Sequence, residues 1–166
     1  SGVGYTSDDP EMDELFDLLC QHGCNIACAA GNDGSSSGTQ YYGSSYKTYA
    51  LAMNPDNGIV GSPGTYTDSL CVACCQKSSA SMVYFSSHGT TADLKIKPEI
   101  TAPGGNIWSV NGDHYVNATD NASGHNNYEI MSGTSMAAPQ VAGMAAVMGQ
   151  YIRDNDLEAR TGLSSR

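Results

Sequence analysis

Apolar positions along this chain fall into short patterned runs separated by polar, glycine-rich stretches. Met12, Leu15, Phe16, Leu18 and Leu19 recur at helical spacing. Asp8-Asp9-Pro10 ahead of them supplies an N-cap and a proline in the first turn, and Gly23 a stop. Residues 25–29 are short and apolar, as in a buried strand. Helix, short turn and strand form the returning half of a βαβ unit, which implies a parallel sheet.

Residues 70–75 and 82–85 read as further strands, residues 97–105 as an extended segment and 107–110 as a short strand. A helix is expected over 134–153, with Val141, Ala145, Val147, Met148 and Ile152 as its apolar positions. Pro139 lies in the second turn of that helix, where an interior proline costs up to about 3 kcal/mol. A sequence that keeps it is constrained by something besides helix stability.

Two polar stretches interrupt these elements. Residues 32–57 are rich in Gly, Ser and Tyr and end in the turn signal Asn54-Pro55-Asp56-Asn57-Gly58. A loop of this length inside a compact domain is often functional. Residues 111–127 read as a hairpin or surface loop; Asn117 and Asn121 fit the glycosylation pattern, though a solvated loop is the better reading. One α/β domain over residues 1–153 and a polar tail over 154–166 account for the chain.

Composition narrows the function. At 166 residues the chain is long enough for one domain with its own core. Charged residues make up 14%, and the net charge is −10. Nucleic acid is disfavoured as a partner, because no basic stripe exists to displace counterions. Asp8, Asp9, Glu11, Asp13, Glu14 and Asp17 crowd one helix start. There the helix dipole favours anions, so they read as a solvated face and not a cation site. No apolar run reaches the roughly 18–20 residues of a membrane span. The absence of an initiator Met and of a signal peptide suggests a processed or truncated piece of something longer.

The six cysteines form two groups, Cys20, Cys24 and Cys28, then Cys71, Cys74 and Cys75. Thiolates at such spacings can bind zinc or form disulfides. Cys28 and Cys71-Val72-Ala73-Cys74-Cys75 lie in apolar, strand-like runs, so small core residues are the favoured reading.

The candidate chemistry lies in Gly133-Thr134-Ser135-Met136-Ala137-Ala138-Pro139. Here a serine stands between a glycine turn and an apolar helix, at the positive end of the helix dipole. Acyl transfer needs a nucleophile, a base and donors aimed at the oxyanion. Ser135 suits the first role, and its own N–H one of the donors. Asn32 follows the strand at 25–29 and Gly31, at a strand's carboxyl end where functional groups of α/β sheets gather. Its side-chain amide is a candidate second donor.

These two motifs resemble the nucleophile and oxyanion-asparagine motifs of subtilisin-like serine peptidases (subtilases, peptidase family S8). Phe85-Ser86-Ser87-His88-Gly89 and Lys97-Pro98-Glu99-Ile100-Thr101-Ala102-Pro103-Gly104 resemble the stretch between them, in the style of bacterial cell-envelope proteinases and C5a-peptidase-like members. The match runs from about residue 1 to 150 in the right order. It implies a three-layer α/β fold with a mainly parallel sheet, present as the C-terminal half of a catalytic domain. It further implies Ser135 and Asn32 as catalytic residues, and Ala29, Ala30, Gly31, Gly133 and Thr134 around the substrate. A protein or peptide substrate, no cofactor, no metal and an extracellular or cell-envelope location follow from the same resemblance.

The chain departs from the pattern at the base and the acid. In subtilases both precede the oxyanion asparagine. Of the four histidines, His22 lies beside a helix end, and His114 and His125 in a polar stretch. His88-Gly89-Thr90 imitates a catalytic motif but follows Asn32 in the chain. Asp68-Ser69 is continued by Leu70 in place of the glycine expected after the acid. Gln140 replaces a histidine common after the proline. The expected outcome is half an active site, with negligible peptidase activity alone and a missing N-terminal half as its partner. Two competing readings are a non-catalytic peptide-binding or packing module and a cysteine-based metal module.

Overall fold

In a computed structural model of the chain, the structure describes residues 9–34, 60–91, 93–110 and 128–157, and the backbone of 38–42 and 45–49. Helix α1 (Pro10–Gln21) begins as its sequence demands. Asp9 caps it, its side chain accepting from Glu11 N at 3.1 Å, and proline occupies the first turn. Beyond the helix Gly23 takes a φ of +86° and the chain turns into strand β1 (Ala27–Ala29).

Strands β2 (Gly38–Tyr42) and β3 (Ser45–Tyr49) pair antiparallel. The expected long loop over 32–57 therefore contains a hairpin; its Tyr- and Thr-bearing alternation was masked by Gly and Ser. The turn signal at 54–58 lies outside the described residues. Strand β4 (Leu70–Gln76) lies between β1 and strand β5 (Ile100–Gly105), parallel to both, in the order β1-β4-β5. The parallel sheet expected from the helix–turn–strand pattern is present.

The stretch expected as a strand over 82–85 is not one. Met82 makes an isolated bridge to Cys75, and Ser86 N bonds Val83 O at 2.9 Å in a turn. The two serines that follow explain the difference: Ser86 Oγ, not a backbone carbonyl, takes Cys74 N, and Ser87 bonds the loop after β1, so the chain turns away instead of extending a ladder. Strands β6 (Ile107–Val110) and β7 (Tyr128–Met131) pair antiparallel, with Ile107 opposite Met131. The polar excursion between them, with its two glycosylation-type asparagines, lies outside the described residues.

Helix α2 (Thr134–Asp154) runs almost as expected. The chain alternates sides along β1 and β4, as strand geometry requires. Ala27 and Ala29, then Val72 and Cys74, face Ala137, Ala138 and Val141 of α2. On the other side Cys28 packs with Phe16 of α1 and Tyr66, whose rings lie 4.9 Å apart, and Cys71 packs with Ala30 and Val60. The result is three layers, helix on sheet on helix. Two of the apolar positions expected to face the core, Val147 and Met148, point to solvent instead. The core side of α2 is set by small residues (Ala137, Ala138, Gly149) that let it lie close to the sheet.

Four cysteines, Cys28, Cys71, Cys74 and Cys75, are buried as small core residues, whereas Cys20 is half-buried and Cys24 exposed. All six are free thiols. Among the described residues no group of three or more His, Cys, Asp or Glu is placed to hold a metal, and no helix is long and apolar enough to cross a membrane.

An ion pair with one buried partner sets the start of β5. Lys97, buried, pairs with Glu99 and donates to Ser69 O. Glu99 in turn accepts from Cys71 N at 2.8 Å, and its own N–H bonds Cys71 O at 3.1 Å. The side chains thereby extend the β4–β5 ladder by one rung.

Candidate active site

The carboxyl ends of β1 and β5 and the N-terminus of α2 meet at one place, and this brings the two motifs together. Gly133 leads into α2 with no side chain to cap it. The cap comes from across the fold. Asn32 Oδ1 accepts from Thr134 N at 3.0 Å and from Thr134 Oγ1 at 3.2 Å. A backbone N–H can only donate, so the atom facing it is the amide oxygen. The donor Nδ2 is thereby turned toward the other side, near Gly133, where a Cβ on that glycine would lie 3.5 Å from it.

Thr134 is the hinge of this arrangement. It is 1% exposed, and its hydroxyl gives its one proton to Asn32 while accepting from Gly31 N at 3.2 Å. Gly31 has a φ of +105°, a conformation that side-chain-bearing residues rarely adopt. The turn this permits sends Asn32 out of the sheet while Ala30, fully buried, stays in it: Ala30 N bonds Val72 O and Ala30 O accepts from Gly61 N, both at 3.0 Å. Ala29 is half-buried and packs with the α2 cluster.

Ser135 follows Thr134 and is exposed. Its backbone N–H is one of the first in the helix, which have no acceptor within it, and meets none among the described residues. Ser135 thus presents a hydroxyl and a free N–H at the positive end of a 21-residue helix, beside the Asn32 amide.

Three contacts hold the helix start in place. Gly133 N donates to Gly104 O at 2.9 Å, and a Cβ on Gly104 would lie 2.5 Å from Gly133 O and 2.7 Å from Cys74 Sγ. Only glycine allows that approach. Gln140 Nε2 reaches back to Pro103 O at 2.6 Å and Met136 O at 3.0 Å, tying the second turn to β5. The Cys74 thiol beneath Gly104 is raised in pKa by its burial, which favours the uncharged thiol under the Gly133 turn.

Sequence reasoning gave Ser86 and Ser87 no role, yet both are fully buried, Ser87 serving the asparagine loop and Ser86 strand β4. Ser87 Oγ accepts from Asp33 N at 3.1 Å and Ser87 N bonds Gly31 O at 2.9 Å. Ser86 Oγ accepts from Cys74 N at 2.9 Å. The available signal was an adjacent pair of serines beside an apolar run, which must find partners if buried.

His88 does not complete the site. Its Nδ1 lies 3.3 Å from Ser86 O, two residues away in sequence. The other described histidine, His22, caps the far end of α1. His114 and His125 lie outside the described residues.

A model of the subtilase family matches residues 2–161. The chain belongs to the subtilase family. Among relatives, it is 44% identical over 72 residues to the PII-type proteinase of Lactococcus lactis subsp. cremoris, covering 43% of this chain and 3% of that protein. It is 36% identical over 108 residues to the serine protease AprX of Bacillus subtilis, 60% of this chain and 24% of that one. The fold is similar to the self-cleaved protease domain of PatA, with a TM-score of 0.59, 21% identity, and coverage of 99% of this chain and 45% of that one. The maturation protease PagA gives a TM-score of 0.57 at 19% identity, covering 96% and 42%. The subtilase chain therefore spans less than half of the solved proteases it resembles, and at most about a quarter of these two curated relatives.

Proposed function

We propose that this subtilase chain supplies the nucleophile and oxyanion half of a serine endopeptidase active site. Ser135 Oγ attacks the scissile carbonyl of an extended peptide, and the carbonyl electrons move onto the oxygen. The Asn32 amide and the Ser135 N–H hold that oxyanion, while Gly31, Gly133 and Thr134 keep the two donors in register. Ala29-Ala30-Gly31 borders the peptide's side chain. The observation that carries this reading is the orientation of Asn32, whose oxygen is occupied by Thr134 N and whose donor meets no acceptor among the described residues.

No hydrogen bond joins either described histidine to Ser135: His88 bonds Ser86 O, and His22 caps α1. The base and the acid that orients it come from polypeptide outside this chain, so residues 1–166 alone are inactive. A triad-deficient subtilisin keeps only about 10³–10⁴ over water, a value measured in that family. No cofactor enters the mechanism. Secretion or attachment to the cell envelope fits the family resemblance.

Labelling with a fluorophosphonate probe tests the reading. A polypeptide that includes the residues encoded ahead of Ser1 is expected to label at Ser135 and to lose labelling on Ser135→Ala. Residues 1–166 alone are expected not to label. Rapid labelling of the isolated chain overturns the assignment of the base to another segment. No labelling of the longer polypeptide favours the second reading, a non-catalytic module that binds peptides, which the lack of a described base near Ser135 supports.

A further inference from the structure

Asn32 stands at the apex of a loop whose two flanking peptide planes are held by one residue. Ser87 N donates to Gly31 O at 2.9 Å, which fixes the peptide entering Asn32. Ser87 Oγ accepts from Asp33 N at 3.1 Å, which fixes the peptide leaving it. Asn32 N and Asn32 O themselves meet no partner among the described residues. A peptide is planar, so holding both planes leaves φ and ψ of Asn32 little freedom. The direction of its Cα–Cβ bond is set with them.

The close approach is built into the loop. Ser87 is fully buried, and a Cβ on Gly31 would lie 2.9 Å from its Oγ. At the other end Gly34 N bonds Phe85 O at 2.8 Å, and a Cβ on Gly34 would lie 2.1 Å from Ser86 O. Residues 31–34 therefore lie against 85–87, and it is the Asn32 side chain that crosses to α2.

We propose that Ser87 is a positioning residue for the oxyanion donor, acting through Asn32 and touching no substrate. Thr134 anchors the far end of the Asn32 side chain and Ser87 the near end. With the Thr134 anchor alone, the amide oxygen could stay bonded while the 32–33 peptide turned and Nδ2 swung off its line. A hydroxyl suits the task, because it accepts from Asp33 N without placing a negative charge beside a developing oxyanion. The catalytic consequence rests on the function proposed above.

The neighbouring Ser86 supplies the control. It is just as buried, but its Oγ accepts from Cys74 N of β4. Amide hydrogen exchange in residues 1–166, read by NMR, tests the positioning without catalysis. Ser87→Ala is expected to speed exchange by about tenfold or more at Asp33, which loses its acceptor, and also at Thr134, whose N–H bonds Asn32 Oδ1. Ser86→Ala is expected to speed Cys74 and leave Thr134 as it is. Faster exchange at Asp33 with Thr134 unchanged overturns the inference, as does an equal response of Thr134 to both variants. Should Ser87→Ala fail to fold, Ser87→Cys, which fills the site with a poor acceptor, is expected to show the same pattern.

The polypeptide that includes the residues encoded ahead of Ser1 gives the kinetic reading. There Ser87→Ala should lower kcat roughly tenfold with KM unchanged, since a misaimed donor is felt only in the transition state. In an Asn32→Leu background the same change should lower kcat no further, and an additive loss overturns the inference. If that polypeptide does not label at Ser135 although Thr134 exchange responds to Ser87→Ala, the proposed function fails and the placing of Asn32 by Ser87 stands.

Discussion

Asn32 Oδ1 and Thr134 N lie 3.0 Å apart although 102 residues separate them in sequence, so one side chain both caps α2 and orients itself. The two ends of the amide have separable tasks in the function proposed above, the oxygen toward the helix and the nitrogen toward the reacting carbonyl.

Substitutions at Asn32 are expected to split those tasks. Asn32→Leu removes the cap and should cost about 0.5–2 kcal/mol in urea denaturation of residues 1–166. Asn32→Asp keeps an acceptor at the helix start, where negative charge is favoured, and should leave stability unchanged or raised. In the complete enzyme both lose the donor. Turnover should fall by about 10²–10³, the loss measured for this donor in a subtilisin. Equal stability of the two variants would refute the cap.

Gly104 and Gly143 should respond oppositely to alanine. Gly104→Ala drives a Cβ into Gly133 O and Cys74 Sγ, both packed, and is expected to destabilise by about 1–3 kcal/mol. Gly143→Ala enters open space and should stabilise residues 1–166 by up to about 1 kcal/mol. Melting temperatures of the two variants check both signs.

Much of this was legible in the sequence, for identifiable reasons. Asp9-Pro10 and Gly23 bounded α1 because capping chemistry is local. The pairing of Asn32 with the Ser135 turn was legible through the strand-end position of Asn32 in an α/β sheet and through the family motifs, since no local rule links residues so far apart. The hairpin at β2 and β3 was missed because Gly- and Ser-rich strands carry little alternation. The stretch over 82–85 had the apolar run and meets β4 at Met82 and Val83, but it turns away at once, Ser86 Oγ taking Cys74 N and Ser87 bonding the asparagine loop. Val147 and Met148 satisfied helical periodicity equally well on either apolar stripe, and periodicity does not say which stripe meets the sheet.

The Lys97–Glu99 pair offers a test of how β5 is held. Lys97→Met leaves Ser69 O without its donor and Glu99 without its cation. Because Glu99 is one-third exposed, water can take over part of its solvation. The loss should therefore sit near or below the lower end of the roughly 3–5 kcal/mol typical of broken buried pairs. Glu99→Gln strands the more deeply buried partner but keeps an acceptor for Cys71 N. In a double-mutant cycle by urea denaturation, Lys97→Met with Glu99→Gln should cost less than the sum of the two.

The buried thiols make the fold sensitive to alkali. Burial pushes the Cys71 thiol from an ordinary 9.0 up to about 12, and the Glu99 carboxylate adds to the rise. Cys28 and Cys74 are raised too, chiefly by burial. A raised thiol pKa means that the folded chain keeps its proton where the unfolded chain releases it. For Cys71 the stabilisation is thus complete below pH 9 and is lost as pH climbs toward 12, at a slope approaching about 1.4 kcal/mol per pH unit. Urea midpoints should be flat between pH 7 and 8.5 and fall steeply above. Cys71→Ala should start lower, through lost packing, but fall less steeply. Alkylation by iodoacetamide at pH 8 gives the complementary reading. The exposed Cys24 should react first, and Cys71 and Cys74 only on unfolding. Native-state alkylation of Cys71 at the rate of Cys24 would contradict its burial between β4 and the loop at Val60.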